Sequence, residues 1–189
     1  GAAIGGAEFA RIMGQKGKYL ELYGNPTDNN AEVRSSGYKT VMSQYPAMQN
    51  VGKEVAMWDR QQGFAKAQTM LQAHPNVKGI INGNDEMALG AIAALKAAGK
   101  KAIIVSVDGG KAGVQNVAAG VIGATSQQYP LKMASLGVQA IYDLITKGTK
   151  PKVTPGLDFY NTGVTLITDD PQAGVPSQKS AYGIANAWG

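Results

Sequence analysis

Val77-Lys-Gly-Ile-Ile-Asn-Gly-Asn-Asp-Glu-Met-Ala-Leu-Gly-Ala-Ile-Ala-Ala-Leu-Lys-Ala-Ala-Gly-Lys-Lys-Ala-Ile-Ile-Val-Ser-Val107 is the stretch that decides the fold. A short apolar run over 77–82 has strand length, and an Asn-Asp pair then opens an alanine- and leucine-rich segment of helix length that stops at Gly99. A second β-rich run follows over 102–107. A strand, a helix and a strand joined by loops this short form a βαβ unit, whose two strands lie parallel. Asp85 reads as the N-cap of the helix, a position that Asp favours.

The same alternation continues outward on both sides. Upstream, the spacing predicts a helix within 1–14 halted by Gly14 and Gly17, a strand over 18–23, a turn over 24–28, a helix over about 31–44, a strand over 54–58 and a helix over 63–73. Downstream come a short helix over 112–119 ended by Gly120 and a strand over 121–126. Uninterrupted alternation predicts an α/β fold, a doubly wound parallel sheet with helices on both faces. After Gln128 the rhythm changes. Pro130 opens a helix with Leu131, Ala134, Val138, Ile141 and Ile145 on one face, closed by Lys147-Gly148. Residues 149–156 resemble a linker, 157–168 an extended strand interrupted at 161–163, and the last twenty residues an irregular tail tied down by Tyr182 and Trp188.

At 189 residues, with 44% hydrophobic and 16% charged side chains and 25 glycines, the chain suits one domain with a real core and is too short for two of full size. The net charge of +5 comes from scattered lysines with no interleaved aromatic platform, so no nucleic-acid partner is expected. Absence of cysteine removes disulfides, thiolate nucleophiles and zinc-thiolate sites. No segment approaches the about 18 apolar residues of a spanning helix. The opening Gly1-Ala-Ala-Ile-Gly-Gly6 has no initiator Met, basic n-region or cleavage-type signal, and reads as the interior of a longer polypeptide.

At or just after the predicted strand ends stand Arg34, Trp58, Asn84, Asp108 and Gln128. Parallel strands in an open α/β sheet deliver their carboxyl ends to one edge, where ligands bind beside the switch in strand order. These five side chains therefore converge on one candidate site. Vicinal hydroxyls are matched by planar groups with two heteroatoms, and mildly apolar C–H faces by aromatic rings. Arg34 donates a fork, Asp108 accepts twice, Asn84 and Gln128 do both and Trp58 stacks, which is the chemistry of a carbohydrate site. Each also has a plainer reading: Asn84 and Asp108 as turn residues, Trp58 as core, and Arg34 as a surface partner of Glu32 or Asp28. Strand alternation leaves Gln127 and Gln128 in competition for the site.

Four segments carry a resemblance: Asn84-Asp-Glu-Met-Ala-Leu-Gly-Ala91, Ala94-Leu-Lys-Ala-Ala-Gly99, Val105-Ser-Val-Asp-Gly109 and Ala124-Thr-Ser-Gln-Gln-Tyr-Pro130. In this order they resemble the ribose-binding-protein type of periplasmic sugar receptors that feed ABC importers, and the likeness runs from residue 1 to about 168. It implies a non-catalytic solute-binding component that closes around a monosaccharide or polyol between two lobes, is read by an ABC permease, works in the periplasm or another extracytoplasmic space, and needs no cofactor or metal. Within Ala31-Glu-Val-Arg-Ser-Ser-Gly-Tyr38 the resemblance makes Arg34 the sugar-binding arginine, and within Met57-Trp-Asp-Arg60 it makes Trp58 the stacking aromatic. Asn84, Asp108 and Gln128 become ligands of the hydroxyls, Gln128 being chosen over Gln127 by the family register. Val107 stands where relatives often have an aromatic.

The resemblance also divides the chain. Residues 1–128 correspond to the C-terminal sugar-binding lobe, 129–163 to a crossover helix and strand that complete the N-terminal lobe, and 164–189 to a return strand and tail. The N-terminal lobe itself has no counterpart here, so a missing lobe or companion chain is an expected partner. The helix face at 131–145 is then expected to be exposed. The effector core of a sugar-responsive repressor has the same layering and is the alternative, although it would need an upstream helix-turn-helix. An enzyme is disfavoured: Ser106 lacks a histidine in any recognisable arrangement, His74 stands alone before Pro75, and neither glycine-rich stretch completes a nucleotide-binding pattern.

Overall fold

The computed structural model describes residues 1–189. The elements in chain order are α1 (Ala2–Ile12), β1 (Gly17–Tyr23), α2 (Asn29–Met42), β2 (Met48–Val55), α3 (Arg60–Ala73), β3 (Gly79–Asn82), α4 (Asp85–Ala97), β4 (Ile103–Asp108), α5 (Lys111–Ala118), β5 (Ala124–Gln127), α6 (Pro130–Lys147), β6 (Thr165–Ile167), β7 (Ser177–Gln178) and α7 (Ser180–Ala185). One sheet holds all seven strands in the order β2-β1-β3-β4-β5-β6-β7. Strands β1 to β5 run parallel, and β6 turns antiparallel against β5.

Alternation along the strands sends side chains to two cores. Leu20, Leu22, Ile80 and Ile104 meet α3, α4 and α5 through Leu71, Met87, Ala91 and Val114. Tyr19, Ile81 and Val105 point the other way and meet α1 and α2 through Phe9, Ala10, Tyr38 and Met42. The doubly wound α/β layering expected from the sequence is therefore present. Because the chain leaves β1 toward β2 and returns across it to β3, the strand order reverses between β1 and β3, which creates a crevice at the carboxyl edge.

Several boundaries differ from expectation. The second strand is Met48–Val55, not 54–58, because it is a sheet edge and its exposed side is polar, so it shows no apolar run. The fifth strand begins at Ala124; Val121 lies in the turn before it and is exposed. Of 157–168 only Thr165–Ile167 forms a strand. The tail is more regular than expected: β7 joins the sheet, and α7 packs its Gly183 against Val114 and Ile167. Helix α3 starts at Arg60, three residues before the predicted start, because the Asp59 side chain caps it by accepting the Gln62 N–H.

Helices α3 and α4 meet backbone to backbone. A Cβ at Gly90 would collide with the Arg60 carbonyl oxygen, and one at Gly63 would lie 2.9 Å from Met87 Cα. Helix α6 is the opposite case. None of its residues is buried, and its apolar face is open to solvent, with Val138 at 70% and Ile145 at 77% exposure. No helix is long and apolar enough to cross a membrane.

Candidate functional site

The five side chains singled out in the sequence form one connected array along the carboxyl edge of β2, β1, β3, β4 and β5. Arg34 belongs to α2, not to a strand end, and reaches the array from the second turn of that helix. Its Nη1 donates to the Gly83 carbonyl at 2.6 Å and forms an ion pair with Asp108 Oδ1 at 3.1 Å. It pairs with neither Glu32 nor Asp28. Both partners of the Arg34–Asp108 pair are largely screened from solvent, each side chain 15% exposed. Gln128 Nε2 donates to the same Asp108 oxygen at 2.9 Å. The neighbouring Gln127 is fully buried and donates instead to Gly109 O and Gly183 O. Alternation thus gives Gln128 to the array and Gln127 to the core.

Trp58 is half-buried in a tight turn, not on a strand. Met57 and Trp58 both adopt left-handed backbone, with φ of 56° and 63°. The indole Nε1 donates to Asp28 Oδ2 at 3.1 Å, and the guanidinium carbon of Arg34 lies 5.1 Å from the ring centroid, within cation–π range. The ring closes down on Gly24, where a Cβ would overlap it. Asn84 is buried and bonded locally: its Oδ1 accepts the Met87 N–H at 2.9 Å and its Nδ2 donates to Trp58 O at 3.3 Å. Asn84 is therefore the N-cap of α4, which corrects the assignment of Asp85 to that position.

Asp85 is buried one residue further on. Its Oδ1 accepts from Thr125 Oγ1 at 2.8 Å and from Ser106 Oγ, and its Oδ2 accepts the Gly110 N–H at 2.9 Å. Burial pushes its carboxyl up to about 7, with the hydroxyl and amide donors pulling the other way and the Asp108 charge adding to the rise. Burial also raises the Asp108 carboxyl, opposed by Arg34 and Gln128. Asp108 has φ of 130°, a conformation that costs a residue with a side chain about 1–3 kcal/mol and that clusters at functional sites. Nothing in the sequence distinguishes Asp85 from an ordinary helix cap, so its tertiary bonds were not legible there.

The array presents a guanidinium, a carboxylate, two amides and an indole within one contiguous patch. Such a set has the chemistry to match neighbouring hydroxyls and an apolar ring face. No group of three or more His, Asp or Glu side chains is placed to hold a metal ion. A cleft of about 810 Å³ opens between α6 and residues 149–162, and only Gln128 of the five lines it.

The periplasmic binding protein domain family matches residues 1–150. A D-apiose import binding protein from Actinobacillus succinogenes is 49% identical over 105 residues, which are 56% of this chain and 34% of that protein. A ribose import binding protein from Haemophilus influenzae is 35% identical over 159 residues, 84% of this chain and 54% of that protein. The chain thus spans about half the length of such relatives or less. Among solved structures, a periplasmic solute-binding protein of an ABC transporter from Actinobacillus succinogenes with bound D-allose aligns with a TM-score of 0.81 at 26% identity, over 88% of this chain and 58% of that one. With a family match over most of its length, an array at the switch-point edge and a sheet that superposes on a sugar receptor, the chain belongs to the periplasmic binding protein domain family.

Proposed function

We propose that the chain is the C-terminal sugar-binding lobe of a non-catalytic receptor that delivers a monosaccharide or polyol to an ABC import permease in the periplasm. The observation that carries this reading is the continuous run from Gln128 through Asp108 and Arg34 to Trp58 and Asn84. Arg34, Asp108 and Gln128 bind vicinal hydroxyls, Trp58 supports the ring face, and Asn84 offers its remaining amide hydrogen. The names of the relatives favour import over a repressor's effector core. The named sugars suggest a pentose or hexose class without choosing among them.

In this reading the ligand is held by hinge closure against a second lobe. Residues 129–163 then belong to that lobe, which covers the open face of α6. A micromolar sugar affinity is about −8 kcal/mol, and half of the contacts leave about −4 kcal/mol, near millimolar. Isothermal calorimetry with D-ribose, D-apiose, D-allose and myo-inositol tests this. The expected result is undetectable or millimolar binding by the 189 residues alone, and micromolar binding of at least one of these when the chain is extended to the length of its relatives. Micromolar binding by the 189 residues alone would sink the two-lobe reading, and no binding by the extended protein would sink the sugar reading.

A further inference from the structure

We propose that Asp85 is a positioning residue for the ligand-facing carboxylate: through Thr125 and the Gly110 amide it holds the Asp108–Gly110 turn in the conformation that aims Asp108 at Arg34 and Gln128. This rests on the reading of Asp108 as a sugar ligand. Asp85 is itself buried and takes no place in the array. Three bonds converge on the turn from behind: Gly110 N–H to Asp85 Oδ2 at 2.9 Å, Gly109 N–H to Thr125 Oγ1 at 3.2 Å, and Gln127 Nε2 to Gly109 O at 2.9 Å. The Thr125 hydroxyl accepts from the turn and donates to Asp85, so one carboxylate anchors two successive amides.

The local sequence keeps room for this clamp. Gly110 is the N-cap of α5 and has no side chain to cap with, so the acceptor at that helix start comes from α4. A Cβ at Gly113 would overlap the Asp85 carboxylate, and one at Gly109 would overlap Gln127. Asp108 and Gly109 have φ of 130° and 64°, so the turn is strained at one residue and glycine-dependent at the next. A strained turn relaxes unless its surroundings hold it, and here the holding groups are Asp85, Thr125 and Gln127.

The test uses the 189-residue chain and nitrogen-15 amide spectra, which register millimolar binding, with D-ribose, D-apiose, D-allose and myo-inositol as probes. Thr125→Val and Asp85→Ala are expected to speed hydrogen exchange at Gly109 and Gly110 by about tenfold or more relative to Ile80 and Ile81, and to weaken the sugar-induced shifts by about tenfold. Asp85→Asn is expected to recover most of both, since its carbonyl oxygen still accepts the Gly110 N–H. Exchange that rises uniformly across the sheet, or a turn unaffected by either substitution, overturns the proposal. Thr125→Val, close in shape to the wild-type residue, decides the matter if Asp85→Ala does not fold. If the wild-type spectrum of the 189 residues responds to none of the four probes, the sugar comparison passes to the extended protein, whose silence sinks the sugar reading, and the exchange comparison by itself still decides whether the clamp exists.

Discussion

Arg34 concentrates the array's electrostatics, because one guanidinium bonds a backbone carbonyl, pairs with Asp108 and covers the Trp58 ring. Replacing it by Met strands the Asp108 carboxylate in a mostly enclosed place with only Gln128 as donor. Breaking a buried pair costs about 3–5 kcal/mol, and the remaining solvent access and Gln128 set the expected loss near the low end, about 3 kcal/mol, readable by urea denaturation. Arg34→Lys keeps charge but not the planar fork, so it is expected to restore stability and not sugar-induced shifts. Asp85 gives a second test. Its carboxyl is raised from about 3.8 in the unfolded chain to about 7 in the fold, so its contribution to stability is full below pH about 4 and is lost as pH rises through about 7. Burial drives the rise and the charge of Asp108 adds to it, while the hydroxyls of Ser106 and Thr125 and the Gly110 amide oppose it; Tyr38, also buried, feels its charge. Thermal unfolding of the wild type is expected to weaken by a few kcal/mol between pH 5 and pH 8, relative to a flatter profile for Asp85→Asn. Equal profiles for the two would show that the carboxyl titrates normally. Asp108 and Gln128 were legible because strand-end position and chemistry agree, and Arg34 by its chemistry although it stands on α2; Asp85 was not, because a helix-start Asp looks the same whether it caps its own helix or a neighbouring turn.

At the scale of elements, close packing of α3 on α4 places Trp58 and Asn84 side by side, since each stands just before one of these helices. That packing depends on Gly63 and Gly90 having no side chains. Gly90→Ala would ordinarily stabilise a helix by about 1 kcal/mol through propensity, but here it drives a methyl into the Arg60 carbonyl. The collision is expected to win, with a net loss of about 1–3 kcal/mol in denaturant unfolding and a displaced Trp58 turn seen as a shift in indole fluorescence. A gain in stability would show that the helices separate freely. Buried strands such as Gly79–Asn82 and Ile103–Asp108 announce themselves as apolar runs, whereas the edge strand Met48–Val55 carries a polar face and is invisible to the same criterion. The Met57-Trp58 turn was misread as strand for a related reason: bulky residues favour extended backbone, and only the capping of α3 by Asp59 and the seat of the indole over Gly24 reverse that preference.

Across the whole molecule, helix α6 stands apart, with every side chain at least partly open and an apolar stripe from Leu131 to Ile145. A stripe of this kind on a helix with no packing partner favours association. Sedimentation velocity is expected to show concentration-dependent association of the 189 residues, abolished by Val138→Glu with Ile145→Glu. Because both positions are solvent-exposed, the double substitution should leave unfolding within about 0.5 kcal/mol. A monomer at all concentrations would contradict the expectation. The sequence by itself determined the layering, since alternating strand- and helix-length apolar segments with short loops admit little except a doubly wound sheet, and it determined which residue types gather at the carboxyl edge. Periodicity also marked the apolar face of α6, and the family resemblance, not periodicity, led to the expectation that this face is exposed. Tertiary structure alone decided the pairing of Arg34 with Asp108, the division of labour between Gln127 and Gln128, the capping of α4 by Asn84 and the clamp of Asp85 on the Gly110 amide. These depend on distances between residues far apart in the chain, and a hydrogen bond is specified to a few tenths of an ångström that no local pattern encodes.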